Sequence, residues 1–292
     1  MRRQEFLPEG MAPLFPDGQP LAAIERAAEG QEILTGMAVR CDSRRALHVR
    51  FGGWEGVIPR QEAVHPAVSG SERDIAVLSL VGKPVSFVVT EIGIDGGGKP
   101  TLLLSRRRAQ EQAIAWLLDH AAPGTVLPAR VTHLADFGAF VDLGGGFISL
   151  IPLENISMAR MEHPGQRFRV GQDILVLVTA ADPAACRISL SHKELLGTWL
   201  ENAAAFAPGD TVAGIVSAVR DYGIFVELAP NLSGLADFRP DLAPGDGVSV
   251  YIRSIRPESR KIKLQIIAPI QSPAREPLRY FITDGIVENW RY

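Results

Sequence analysis

The chain has 292 residues, a hydrophobic fraction of 46%, a charged fraction of 22% and a formal net charge of −3. These are ordinary globular values that exclude wholesale disorder, and the length predicts two or three domains. The mildly acidic total argues against a protein that grips nucleic acid through one broad basic field. With 28 glycines and 21 prolines, turns are frequent and long helices few. The N-terminal residues are basic but have no apolar run of secretory length behind them, and no stretch approaches ~20 consecutive apolar residues. Cys41 and Cys186 are far apart and supply neither a disulfide framework nor a zinc ligand set. A reduced, cytoplasmic protein with no membrane span is expected.

Residues 1–24 read as an extension, and 25–106 as a first unit of short alternating runs. Its pieces are Thr35–Val39, Leu47–Phe51, Gly56–Pro59, Val81–Val89 and Leu102–Ser105. Between the last two, Gly93-Ile94-Asp95-Gly96-Gly97-Gly98-Lys99 has the spacing of a phosphate-binding loop. Pro100 stands where a Ser or Thr has to meet magnesium, and a strand-like run follows in place of a helix, so a plain turn is expected. Residues 107–123 read as a linker helix with Ala113, Trp116, Leu117 and His120 on one face, ending at Pro123-Gly124.

The second unit, 124–191, and the third, 209–268, repeat one pattern. Asp136-Phe137-Gly138-Ala139-Phe140-Val141-Asp142-Leu143 recurs 85 residues later as Asp221-Tyr222-Gly223-Ile224-Phe225-Val226-Glu227-Leu228. Each copy is followed by a glycine-led apolar run and closes on a short strand, Arg187–Ser191 or Lys261–Gln265. About five period-2 runs per unit, broken by Gly, Pro, Asn and Asp, predict an all-β fold whose sheets close into small barrels. Between these units, 192–208 reads as a second linker helix. Ser191 and Glu194 form its capping box, and Leu195, Leu196, Trp199 and Leu200 its apolar stripe. Residues 269–292 form a tail in which Tyr280, Phe281, Trp290 and Tyr292 crowd the last thirteen positions. Either the tail folds back on the third barrel or it is a docking peptide.

Alternation puts Ala139, Val141 and Leu143 on one face and Phe140 with Asp142 on the other. A carboxylate prefers water, so Phe140 is expected to face outward, and Phe225 beside Glu227 likewise. An exposed Phe on a small barrel is either a stacking platform for unpaired bases or a ring packed beneath a loop or helix. Strict alternation turns Phe137 and Tyr222 inward, although Gly138 and Gly223 permit a bulge that re-aims them. In the first unit the matching outward position is His48, next to Arg50, and the aromatic pair is missing.

At these residues the chain resembles the S1 RNA-binding domain family of OB-fold barrels. Phe137–Val141 and Arg187–Ser191 carry its motif nearly whole, the third unit is a close match, and the first is degenerate. Along the chain, Ser191–Trp199 and Tyr280–Gly285 look like the short ribosomal-S1-like proteins of clostridia. The resemblance implies three tandem S1-type OB-fold five-stranded barrels joined by short α-helices. It implies an RNA face made of Phe137, Phe140, Tyr222 and Phe225, an Asp after the fourth strand, and a basic residue opening the fifth. The last two fall on Asp182 and Arg187 in the second unit, and on Arg256 and Lys261 in the third. A histidine common after the family's third strand is replaced by Pro59, Pro152 and Asp237.

The function expected is therefore non-catalytic binding of single-stranded RNA in translation, with messenger RNA as the partner, the small ribosomal subunit as a second candidate partner, and no cofactor or metal. The alternative is a protein-interaction scaffold on a ribosomal or RNA machine with weak RNA contact. Local cations suit either: Arg253, Arg256, Arg260, Lys261 and Lys263 cluster in the last two strands. Because salt screens within about 8 Å, such a cluster can act although the whole chain is acidic.

Overall fold

A computed structural model describes residues 6–65, 73–159, 161–271, 278–288 and 290. Helix α1 (Leu21–Glu29) precedes the first barrel, built from β1 (Leu34–Cys41), β2 (Leu47–Phe51), β3 (Trp54–Ile58), β4 (Pro84–Ile94) and β5 (Pro100–Ser105), with short helix α2 (Arg73–Leu78) before β4. Helix α3 (Arg106–His120) leads to β6 (Val126–Ala135), β7 (Gly138–Asp142), β8 (Ile148–Pro152), β9 (Asp173–Asp182) and β10 (Arg187–Ser191). Short helix α4 (Trp199–Ala203) precedes β11 (Thr211–Arg220), β12 (Gly223–Ala229), β13 (Leu232–Ala236), β14 (Gly247–Arg256) and β15 (Lys261–Ile270). The first and third sheets close as barrels in the orders β1-β2-β3-β5-β4 and β11-β12-β13-β15-β14. The middle sheet keeps the order β10-β9-β6-β7-β8, and the Ser149 hydroxyl on β8 donates to the Ile188 carbonyl on β10 (2.5 Å) where its two edges meet. The expected all-β array of three five-stranded barrels is thus present.

Period-2 alternation accounts for the cores. Ala139 and Val141 on β7, and Ile224 and Val226 on β12, point inward and are fully buried. Each barrel has its own cluster, centred on Phe87, on Ile151 with Phe168, and on Val226 with Leu264. The glycine-rich run near Lys99 is the turn of the β4–β5 hairpin. There the Asp95 carboxylate accepts from the Gly97 and Lys99 N–H groups, so no phosphate-binding helix follows it.

Two seams of buried polar groups join the barrels. In the first, Arg106 at the start of α3 is buried and makes two hydrogen bonds to the Glu9 carboxylate (2.8 and 2.7 Å). The Glu9 N–H donates to Asp142 (2.7 Å), and Asp142 also accepts from the Gly144 and Gly146 N–H groups. Gln110 donates to the Gly146 carbonyl of the second barrel and accepts from the His65 N–H beyond the first. Asp142 was expected in water, yet it is only 2% exposed. The N-terminal segment around Leu7 and Glu9 covers it, which alternation within β7 does not reveal. Burial and the neighbouring Glu9 carboxylate push its carboxyl up to about 7, against the pull of the N–H donors and Arg106.

The second seam turns on Asn231, in the β12–β13 turn. Its amide donates to the Lys193 and Gly197 carbonyls and its oxygen accepts from the Met158 N–H (3.0 Å). Ser157 bonds the Pro230 carbonyl, and Arg167 pairs with Glu227 at 2.8 Å. The single capped helix expected from Ser191 is not formed. A turn of 3-10 helix over Lys193–Leu196 ends at Gly197, whose φ of +80° breaks the chain direction. A new helix then starts with Thr198 and Glu201 as the capping box.

The tail folds back on the second barrel, not on the third. Val126 donates to the Gly285 carbonyl, Val287 to the Gly124 carbonyl, and Phe281 to the Leu195 carbonyl. The Tyr280 hydroxyl accepts from the Leu175 N–H (3.1 Å) and meets His192 Nε2 at 3.2 Å, while His192 Nδ1 lies 2.9 Å from the Ile156 carbonyl. A neutral ring satisfies both contacts: Nδ1–H donates to the carbonyl and Nε2 accepts the phenol proton. Burial lowers His192 to about 4 and raises Tyr280 to about 12. Tyr292 lies outside the described residues.

Two outcomes follow from the seams. Asn231→Ala removes the side-chain hydrogen bonds to Ser157, Met158, Lys193 and Gly197 and should cost about 2–4 kcal/mol in urea unfolding. His192 binds its proton more weakly folded than unfolded, so its stabilisation is present above about pH 6.5 and lost as pH falls toward 4. Asp142 has the opposite sign, its cost growing as pH rises toward 7. Comparing unfolding of the wild type with His192→Asn from pH 7 to pH 4 therefore isolates the histidine: the variant's profile should lack the acid-side loss.

Candidate nucleic-acid interface

Phe137 and Tyr222 sit in the tight β6–β7 and β11–β12 turns, each followed by a glycine that opens the next strand. A methyl group at Gly138 would stand 2.4 Å from the Ile151 carbonyl oxygen, and one at Gly223 2.5 Å from that of Ala236. The strand backbones approach so closely that only glycine fits, and Gly223 also has φ of +152°. This geometry turns both preceding aromatics out of the barrel, where Phe137 is 60% and Tyr222 68% exposed. Strict alternation would have sent them inward.

Phe140 and Phe225 point outward as the alternation predicts, half-buried at the foot of the exposed ring. Phe137 meets Phe140 edge to face at 5.9 Å and 85°, and Tyr222 meets Phe225 at 6.1 Å and 90°. Two flat π-surfaces thus stand at right angles on each barrel, an L-shaped step on which unpaired bases can stack. The His133 ring also meets Phe140, with centroids 5.9 Å apart. No sequence signal identified it. A bulge between Val131 and His133 sends Thr132 and His133 outward consecutively, and such irregularities are invisible to a period-2 count.

Strand register extends each step sideways. In the third barrel Phe225 lies opposite Leu235, and Leu235 beside Lys263. In the second, Phe140 lies opposite Leu150. Asp182 and Arg187 are direct partners across the β9–β10 pair, as Arg256 and Lys261 are across β14–β15, so the positions expected to correspond do so in space. All four are exposed. Asp182 caps its own turn, accepting from the Ala184 and Ala185 N–H groups.

The first barrel puts His48 at this place, opposite Arg40. The ring is held by Arg40 (3.0 Å), Glu55 (3.2 Å) and Asp42 (3.4 Å). The Ala46 N–H, with His48 and the Arg44 N–H, holds the Asp42 carboxyl below the usual range. The face that presents rings on the other barrels is here a closed polar network.

Small barrels with an outward aromatic step are the architecture of OB-fold nucleic-acid binders. Residues 120–193 match the model of the S1 RNA binding domain, and this part of the chain belongs to that family. The chain is 34% identical over 252 residues to small ribosomal subunit protein bS1 of Leuconostoc lactis, covering 81% of this chain and 56% of that protein. It is 36% identical over 159 residues to a bS1 homolog of Bacillus subtilis, covering 53% and 41%. With bS1 of Streptococcus pneumoniae identity is 29% over 262 residues, covering 84% and 63%. The chain therefore spans about half the length of the curated relatives it matches.

The close approach at Gly138 makes one outcome specific. Gly138→Ala should destabilise the chain by roughly 1–3 kcal/mol, because Cβ and the Ile151 carbonyl cannot share the space. It should also reduce nucleic-acid affinity by displacing Phe137, read by anisotropy under conditions where the variant remains folded.

Proposed function

We propose that this chain is a non-catalytic, cytoplasmic RNA-binding protein that holds single-stranded messenger RNA during translation; its similarity to the S1 RNA binding domain and to a small ribosomal subunit protein supports the RNA-binding and ribosomal parts of that reading. The observation that carries the reading is the pair of matched aromatic steps, Phe137 with Phe140 and Tyr222 with Phe225. Stacking is worth about 1–3 kcal/mol per base and tolerates any base, so two steps give useful affinity with little sequence preference. Asp182, Arg187, Arg256 and Lys261 are proposed to border the RNA where the last two strands of the second and third barrels join. The relatives' name supports an association with the small ribosomal subunit.

The polar network around His48 favours a different task for the first barrel, contact with protein or spacing, within the same molecule. The domain limits proposed are barrels at 25–106, 124–191 and 209–268, with linkers between them and a tail after 268.

Phe140→Ala/Phe225→Ala should weaken binding of single-stranded RNA by about 30-fold or more, one stacking contact being lost on each barrel. Fluorescence anisotropy reads the loss, and wild-type affinity in the double variant would sink the stacking model.

A further inference from the structure

The three barrels share one register but not one charge. Where Lys263 lies beside Leu235 and opposite Ser254 in the third barrel, the first has Leu103 beside Val57 and opposite Glu91. The second has Ser189 opposite Ala180. One pair further out, the third barrel has Arg256 opposite Lys261, the second Asp182 opposite Arg187, and the first Gly93 opposite Thr101. From Tyr251 to Gln265 there are five cations and one carboxylate, Glu258; the matching Leu177–Ser191 has one of each.

We infer that the β14–β15 hairpin is a phosphate-binding ladder, making the third barrel the charge-dependent grip on a single-stranded nucleic-acid backbone and the second a stacking surface of little net charge. The inference rests on the RNA reading above and adds which barrel carries the electrostatic part.

The geometry suits that task. Ile262 and Leu264 point into the core, so Lys261, Lys263 and Gln265 stand in line on the outer face, about 7 Å apart. That interval is comparable to the separation of successive phosphates along an extended strand. Arg256 sits across from Lys261, and Arg253 reaches over to Gln265 (3.0 Å), keeping its guanidinium on the same face. Among the described residues, Arg256, Lys261 and Lys263 are exposed and take part in no intramolecular ion pair, so a ligand phosphate displaces no protein carboxylate. Two strand spacings, about 10 Å, separate Lys263 from Phe225. A base on the Tyr222–Phe225 step therefore brings its own backbone to the ladder. In the second barrel the Ser189 position offers no such charge.

The test is a salt titration of the full chain with a fluorescent single-stranded oligouridylate, read by anisotropy. Each phosphate contact on a single strand contributes about 0.7 to the slope of log affinity against log salt. Arg256→Gln/Lys261→Gln/Lys263→Gln should lower that slope by about 2 and weaken binding at 0.1 M salt roughly 10- to 100-fold. All three sites are on the outer strand face, and an unchanged circular dichroism spectrum will confirm folding. Phe137→Ala/Phe140→Ala should weaken binding with the slope unchanged. A triple variant that binds with the wild-type slope overturns the ladder while leaving RNA binding in place. No binding by the wild type at low salt would remove the RNA reading and the ladder with it.

Discussion

Buried polar groups in the seams between barrels have to be paired, and that requirement holds the array together. A barrel of this size buries a small core and gains little from touching its neighbour through apolar surface alone. Here Glu9, Arg106 and Asp142 in one seam, and Asn231 in the other, each bond atoms from a different part of the chain. An unmade bond at such a site costs more than a made one contributes, so each seam accepts one arrangement and resists hinge motion.

The seams follow a rule repeated three times. The turn between the second and third strands of each barrel is covered by the segment that enters that barrel. Gly52 meets Phe15, the Gly146 carbonyl meets Gln110 of α3, and Asn231 meets the Lys193–Gly197 turn. A second regularity concerns the free side of the fourth strand. In the first barrel the Ser86 N–H is taken by Glu9, and in the second the matching Leu175 N–H by Tyr280. In the third, β15 runs on to pair Ala268 with Ser249. Three unrelated segments solve the same exposed-edge problem, which explains both the aromatic tail and the unusual length of β15.

Much of the interface was legible before folding was considered. Phe140 and Phe225 declare themselves because side-chain direction along a strand is a local property. Phe137 and Tyr222 were ambiguous because their direction depends on how closely β7 approaches β8, and β12 approaches β13, which is a contact between strands. His133 was missed because a bulge shifted it outward. Asp142 was misread because a carboxylate's preference for water yields when enough N–H donors and a buried arginine converge on it. Ser191 with Glu194 had the letters of a capping box, but Gly197 ended that turn and Thr198 with Glu201 capped the helix that formed.

The sequence by itself determined the short alternating strands of each unit, the outward direction of Phe140 and Phe225, and a net charge of −3 that leaves no broad basic field. Each is set by the 2-residue period or by composition, and neither needs a partner strand to be read. Tertiary structure alone decided where the tail docks, which carboxylate is buried, and which cations share a face with an aromatic step. Those outcomes depend on register between strands far apart in the chain, where one residue of slip sends a side chain to the opposite face.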